Sequence, residues 1–553
     1  MTDLPEGPLA RLRTALAGPR GYRKIDALLS RDDADEAVAA LAASEIFELV
    51  QECGFEDSAG LIELATPSQI RGCVDLDAWD GDHMVVENMR PWLNAVMASG
   101  FEKLGQVWAT LDAELRALFL QKQVMVYDLT MGEDPDQDAS VAMDDPRSLY
   151  PTPDGFFVLR LPADDESSRA LQELLDELYR ADLIAARHTI MAARSEPPAE
   201  LEEESYRWRK GRLADLGYVD AHEALDVFQP LEPDRIKIGE NTIAPAPTIL
   251  DEDGAPVLPL AVAEQMVAQS FFARAYGRLS PGSATRVEQG LVILVNRVLA
   301  AARVKPGDLP AVSRAAGFST ATLSLGLETV AKGDLAKAQA ALESIALNRL
   351  FRAGYTIARK VRNLAEGLAL RAITAGSPAD AVITAVRQPW PMLARVLDEP
   401  PAAGARPFGS TADVRHATEA LAKVAVRIAL VEALGVDLVA MAERPEPRPA
   451  LDDHARTAIA RVAIGGELSA RALTTPELEQ LRQSFVDGRV PAEARVRIHG
   501  VITEWATRRG MAGMGPTTLV DGWLADLEAT LGGIRGPIDP RFVDGIVVAA
   551  ARS

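Results

Sequence analysis

Two stretches of this chain open on the same three residues. Gly54-Phe55-Glu56 begins one pass and Gly100-Phe101-Glu102 another, 46 residues later, and each runs on through an apolar helical pattern. Each then reaches an acceptor, an apolar residue and an arginine: Gln69-Ile70-Arg71 first, then Glu114-Leu115-Arg116, 45 residues apart at the arginine. A self-similar unit of that length falls in the range of stacked helix-pair repeats, which bury their apolar faces against neighbouring copies. Two copies stop short of a solenoid. They predict a mainly α, surface-presenting N-terminal module and carry no chemistry by themselves.

The rest of the composition agrees with helices. Aromatic residues make up 5% of the 553 and apolar residues 48%, so the cores must be built from Ala, Leu, Val and Ile. That suits close helix packing better than sandwiches or barrels, which draw on aromatic and β-branched residues. The length suggests about three or four domains. The net charge of −22 is uneven: residues 1–250 carry 48 Asp and Glu against 23 Lys and Arg, residues 251–553 carry 32 against 35. An acidic half repels nucleic acid and anionic membranes, whose binding rests on neutralising phosphate or headgroup charge. It acts either as a solubilising surface or as a module that meets a basic partner, its own C-terminal half included.

Cys53 and Cys73 have neither CxxC nor zinc-type spacing, which predicts small buried thiols and no disulfide. The first residues lack a basic-then-apolar leader pattern. The best apolar run, Gly290 to Val304, is interrupted by Asn296 and Arg297 and is too short to span a bilayer. These features predict a soluble cytoplasmic protein without a transmembrane segment.

Helix signals recur along the chain. Thr66-Pro67-Ser68-Gln69 combines an N-cap, a proline at the first helical position and a capping-box partner, and Thr474-Thr475-Pro476-Glu477 repeats that grammar. Leu291, Leu294, Val295, Val298 and Leu299 form one helical stripe, and Leu335, Ala338, Leu342 and Ile345 another. From Thr411 to Met441, the residues Val414, Ala417, Leu421, Val424, Ile428, Val431, Gly435 and Leu438 step by three and four, the seam of a helix packed lengthwise in a bundle. Phe156 to Leu161 reads as a β-like run, able to pair with Val124 to Tyr127 in a small hairpin. Six prolines between 230 and 259 mark a linker, 400–411 is a second break, and Arg444 to Pro449 favours an extended course. The expected organisation is an acidic helical-repeat module over 1–127 and an acidic loop over 128–165. A helical segment follows over 166–229, the linker over 230–259, a helical domain over 260–399, the short linker, and a C-terminal bundle over 412–553.

Catalytic grammar is sparse. The sequence holds no P-loop, dinucleotide glycine motif, GxSxG elbow or HExxH, and its six histidines stand singly. The strongest local cluster is Asp75-Leu-Asp77-Ala-Trp79-Asp80-Gly81-Asp82-His83. Its carboxylates suit a hard divalent cation, with Asp77, Asp80 and Asp82 as the metal candidates and His83 beside them. It fails as an EF-hand, since Trp79 fills the fifth position, Asp80 replaces the glycine and Val86 stands where a bidentate Glu belongs. The other reading is a helix-to-helix corner whose aspartates cap the next helix. A second cluster runs from Glu202 to Arg212. Glu203 and Arg207 can pair at i,i+4, Trp208 can cover a seam, and Arg209 and Arg212 can jointly grip a carboxylate or phosphate. Tyr206, Trp208, Arg209 and Arg212 are the interaction candidates, and an internal clamp on the acidic region is the plainer alternative. Arg349, Arg352, Arg359, Lys360 and Arg362 form a third group, able to contact an anionic ligand, with a solvated helix face as the plainer reading.

Through Leu49 to Met84, with Glu52-Cys-Gly-Phe55, Thr66-Pro-Ser-Gln69 and Asp75-Leu-Asp-Ala-Trp79, and again through Tyr206 to Gly217, the chain resembles a bacterial family catalogued as domain of unknown function 6178. That family supplies no activity to carry over. In helix rhythm and in the aspartate corner, residues 25–125 also resemble the cytosolic superhelical domain of MgtE-type magnesium transporters. Three expectations follow: a non-catalytic interaction or regulatory scaffold with a protein partner and no cofactor; a regulator responding to a divalent cation at the aspartate corner; or an enzyme whose site joins the acidic half to the arginine-rich half.

Overall fold

Thr66 shows how the sequence sets its helices. Its hydroxyl accepts from the Gln69 N–H at 3.3 Å, while Gln69 Oε1 accepts from the Thr66 N–H at 2.7 Å. Gln69 is buried, and its amide spends its donors on the Val38 and Leu41 carbonyls, which ties the helix start to the preceding turn. Thr474 and Glu477 close the same box. There Glu477 also receives Arg461 at 3.0 Å, and the Thr474 N–H first, with Arg461 second, holds its carboxyl down at about 2.

The computed structural model describes residues 22–133, 149–215, 218–219, 221–239, 270–305, 307–369, 378–442, 449–534, 536, 538–539 and 543–549. The chain is mainly α. Its contacts divide it into two compact units, residues 1–323 with 330–352 and residues 324–329 with 353–553.

In the first unit, α1 (Tyr22–Leu29), α2 (Ala34–Ala39), α3 (Ala43–Cys53), α4 (Ala59–Leu64) and α5 (Pro67–Asp77) lead to a two-stranded ribbon, β1 (Trp79–Asp80) and β2 (His83–Met84). Then come α6 (Val86–Ala98), α7 (Phe101–Thr110) and α8 (Ala113–Gln121). The glycine of each Gly-Phe-Glu step sits at a helix boundary, Gly54 ending α3 and Gly100 opening α7, at φ 87° and 129°, backbone that side chains rarely adopt. Helix α5 packs on α3 and α7, and α6 on α7. One core joins Ile46, Phe47, Ile70, Val74, Trp92, Val107, Trp108 and Leu118.

The expected hairpin forms and gains a strand. β3 (Met125–Asp128), β4 (Leu149–Pro151) and β5 (Phe157–Arg160) make an antiparallel sheet in the order β3-β5-β4, with Tyr127 opposite Val158. Three helices follow, α9 (Asp165–Ala181), α10 (Leu183–Ser195) and α11 (Pro198–Asp215). Both α10 and α11 pack on α8. The unit continues through α12 (Ala221–Ala224), α13 (Phe271–Tyr276), α14 (Pro281–Ala301) and α16 (Leu335–Ser344); α15 (Leu309–Ala331) and α17 (Leu347–Ala369) supply residues to both units. The α14 stripe is buried as its spacing requires.

The second unit adds α18 (Pro378–Val386), the ribbon β6 (Met392–Ala394) and β7 (Ala405–Pro407), α19 (Thr411–Ala433), α20 (Leu438–Ala442), α21 (Leu451–Ala463), α22 (Thr475–Ser484), α23 (Ala492–Arg508) and α24 (Pro516–Leu531). Helix α21 is buried on nearly every side, and α19, α22, α23 and α24 pack around it. The seam foreseen from Thr411 to Met441 breaks at Gly435, φ 79°, where α19 stops and α20 starts afresh. Most of the Pro-rich linker (from 240), residues 134–148 of the acidic loop and residues 443–448 lie outside the described residues. Among the described residues, no helix is long and apolar enough to cross a membrane.

Candidate functional site

Helix α11 is where the sequence candidates meet. Residues 202, 206, 209 and 213 recur at steps of four, three and four, so they share one face, and that face turns inward. Leu213 and Leu201 enter the core, with Tyr206 packed against it. Arg212 reaches two carboxylates at once: its Nε and Nη2 donate to Asp75 at 2.7 and 2.9 Å, and its Nη1 and Nη2 donate to Asp112 at 2.9 and 2.7 Å. Asp75 is buried. Burial alone would lower the Arg212 pKa, but the two forked carboxylates outweigh it and hold the guanidinium charged.

Arg209 works beside it. Its Nε donates to the Asp75 carbonyl at 2.7 Å, and its guanidinium carbon lies 5.4 Å from the Trp79 ring centre and 5.9 Å from that of Tyr206, within cation–π range. Two turns from Arg209 toward the helix start, Glu202 accepts from the Met84 N–H and from Lys122, both at 2.8 Å, and faces His83 Nδ1 at 3.3 Å. These bonds overcome the cost of burial and pull the Glu202 carboxyl below its usual range. Arg212 therefore grips two carboxylates of the same chain and Arg209 a backbone carbonyl, the contacts of an internal clamp. The sequence places Glu202 in the cluster without a partner, and Lys122 escaped it; the seven- and ten-residue steps from Glu202 to Arg209 and Arg212 are the signal that could have singled out Glu202.

The acidic corner is arranged differently from the expectation. Asp75 and Asp77 end α5, the chain then doubles back through β1 and β2, and the N-cap of α6 is Val85. None of the corner aspartates caps the following helix. Asp77 accepts from Trp92 Nε1 at 2.8 Å and from Gln51 at 3.3 Å; burial, opposed by the Trp92 bond, raises its pKa. Asp80 meets Lys305 at 3.0 Å on the surface, and Asp82 lies 3.6 Å from His83. Among the described residues no group of three or more His, Cys, Asp and Glu side chains is arranged to hold a metal ion.

Trp208 does not cover a seam. It is 56% exposed, on the outer face of α11 with Glu203, Glu204, Arg207 and Gly211. Glu203 and Arg207 approach to 3.9 Å in solvent. Both cysteines are free, Cys73 buried and Cys53 only partly so. In the third cluster Arg352 donates to the Gln229 carbonyl at 3.0 Å, Arg362 pairs with Glu366, and Arg359 is exposed.

A family model described as "Family of unknown function (DUF6178)" matches residues 3–549, and the chain belongs to that family. No curated protein matches. No solved structure matches either, and the likeness of residues 25–125 to the MgtE-type domain is not shown.

Proposed function

We propose that this chain is a non-catalytic interaction or regulatory scaffold of the bacterial cytoplasm, whose acidic N-terminal half displays a protein-binding face on α11. The observation that carries the reading is the two-sidedness of α11. Its inner face is fixed by Arg212, Arg209 and Glu202, while its outer face holds a large aromatic in solvent among acids. A tryptophan in water leaves a large apolar area uncovered, and exposed tryptophans are favoured anchors of protein interfaces. Glu200, Glu203 and Glu204 are exposed around it, which suits a basic protein segment with an apolar socket. The repeat supports the same reading: Gly54 and Gly100, the helix starts Pro67 and Ala113, and the strand starts Trp79 and Met125 all stand 46 apart.

Cross-linked pull-down from native cells, run in parallel on wild type and Trp208→Ala, tests the proposal. A specific partner should be captured by wild type and reduced at least tenfold in the variant, a hot-spot-sized loss, with thermal unfolding unchanged. Equal capture by both proteins would remove the α11 face from the account. A divalent-cation response at the corner would require Asp80 to leave Lys305 and Asp77 to leave Trp92. Thermal unfolding with EDTA and then with Mg²⁺, in wild type and Asp77→Asn/Asp80→Asn, addresses it.

A further inference from the structure

A cleft in the second unit holds about 370 Å³ of space, within the range of small-molecule sites. Its floor is apolar, with Val382 of α18 and Val424 of α19 buried beneath it. Helix α19 edges it with His416, Glu419, Lys423 and Arg427, which recur at steps of three, four and four and so share one face.

The charges on this face are not spent as those of α11 are. Lys423 and Arg427 are like charges at i,i+4, an arrangement that destabilises a helix unless something sits between them. Lys423, Glu419 and His416 make no hydrogen bond or ion pair among the described residues. Arg427 has one neighbour of opposite sign: its Nε lies 3.3 Å from Asp452 Oδ1, in a geometry that leaves the buried Nε without a hydrogen bond. Asp452 is itself fixed from the core, accepting from the buried Trp523 Nε1 at 3.0 Å. The guanidinium is steered from behind, and its terminal nitrogens keep their donors.

We infer that this cleft binds a small organic anion, its carboxylate or phosphate held by Lys423 and Arg427 and its apolar body laid along the half-buried Val396 and Leu397. Glu419 stands one turn before Lys423, about 6 Å along the helix axis, and Glu399 edges the cleft as well. Two carboxylates there disfavour a second negative group, so the ligand is anionic at one end and neutral or cationic at the other.

Isothermal titration of the full chain with hexanoate, hexyl phosphate and inorganic phosphate tests this. Saturable binding of hexanoate or hexyl phosphate is expected, and which of the two binds identifies the head group. Lys423→Gln and Arg427→Gln should each weaken it tenfold or more, while Arg415→Gln, exposed on the same helix and outside the cleft, should leave it unchanged. If Arg427→Gln does not fold, Lys423→Gln decides alone. Lack of saturation by either amphiphile below roughly 10 mM, wild-type affinity in Lys423→Gln, or equal affinity for inorganic phosphate would overturn the inference.

Discussion

Arg212 and Arg427 are both largely buried helix arginines, with 22% and 27% of their side chains exposed, and they are treated in opposite ways. Arg212 has two carboxylates in forked geometry; Arg427 has one at the edge of contact and a lysine one turn away. A desolvated guanidinium is expensive unless its donors are met. Where they are met inside the chain, as at α11, the charge is part of the scaffold and is unavailable to a partner. Where they are not, as at α19, the cost is carried for something absent from the chain itself. Residue type does not separate the two cases. The neighbours do.

The largest test of this contrast is Arg212→Gln. It leaves Asp75 buried without its ion partner, and breaking a buried pair costs about 3–5 kcal/mol. Hydrogen exchange in α5 and α11, with urea unfolding, should show that loss. A cost below about 1 kcal/mol, the level of a surface pair, would mean that the clamp is decorative. Asp112→Asn is milder, because Asp75 still holds Arg212 and an amide oxygen can still accept. About 1–2 kcal/mol is expected, and the double variant should fall short of the sum because the groups share one network.

Asp77 sharpens the comparison from the acidic side. Its carboxylate is partly buried, with two neutral donors and no counter-ion among the described residues, and burial raises its folded pKa above the unfolded one. A raised folded value means that the native state binds the proton more tightly. The stability this confers is present below the unfolded pKa and is lost as pH rises through the folded one. Asp77→Asn removes the titration while its oxygen can still accept from Trp92. The variant should therefore gain on wild type between pH 4 and pH 7 in urea unfolding. A difference that does not change with pH would show that Asp77 pays no desolvation cost.

Much of this was legible in the chain. Both capping boxes, the α14 stripe and the pairing of the 124–127 run with the 156–161 run follow from local spacing, because such signals act within a turn or across a short ladder. The readiness of Arg212 to grip a carboxylate was legible too, but its partners Asp75 and Asp112, 137 and 100 residues away, were not, nor was the backbone carbonyl that Arg209 takes. Trp208 misled because hydrophobicity argues for burial, while its neighbours on α11 share the outer face. The acidic corner misled because caps and tight ribbons draw on the same residues, Asp and Gly. Along α19 the apolar seam stood out, and it drew attention away from the charged face beside it.

That face supplies the smallest effect and the sharpest contrast with Arg212. Lys423→Gln removes a half-buried charge that has no partner among the described residues and a repulsion with Arg427 one turn on. The substitution also removes the attraction of Glu419 one turn before, and i,i+4 terms of either sign are worth about 0.2–0.5 kcal/mol in a helix, so they offset and the stability of the ligand-free second unit should change by less than about 0.5 kcal/mol at neutral pH. The change should stay small as salt is raised, since screening weakens both terms together. An unchanged stability of the empty protein beside a tenfold loss of anion affinity would be the signature of a charge kept for a ligand. A loss of stability would instead place Lys423 with Arg212, as a residue the fold needs.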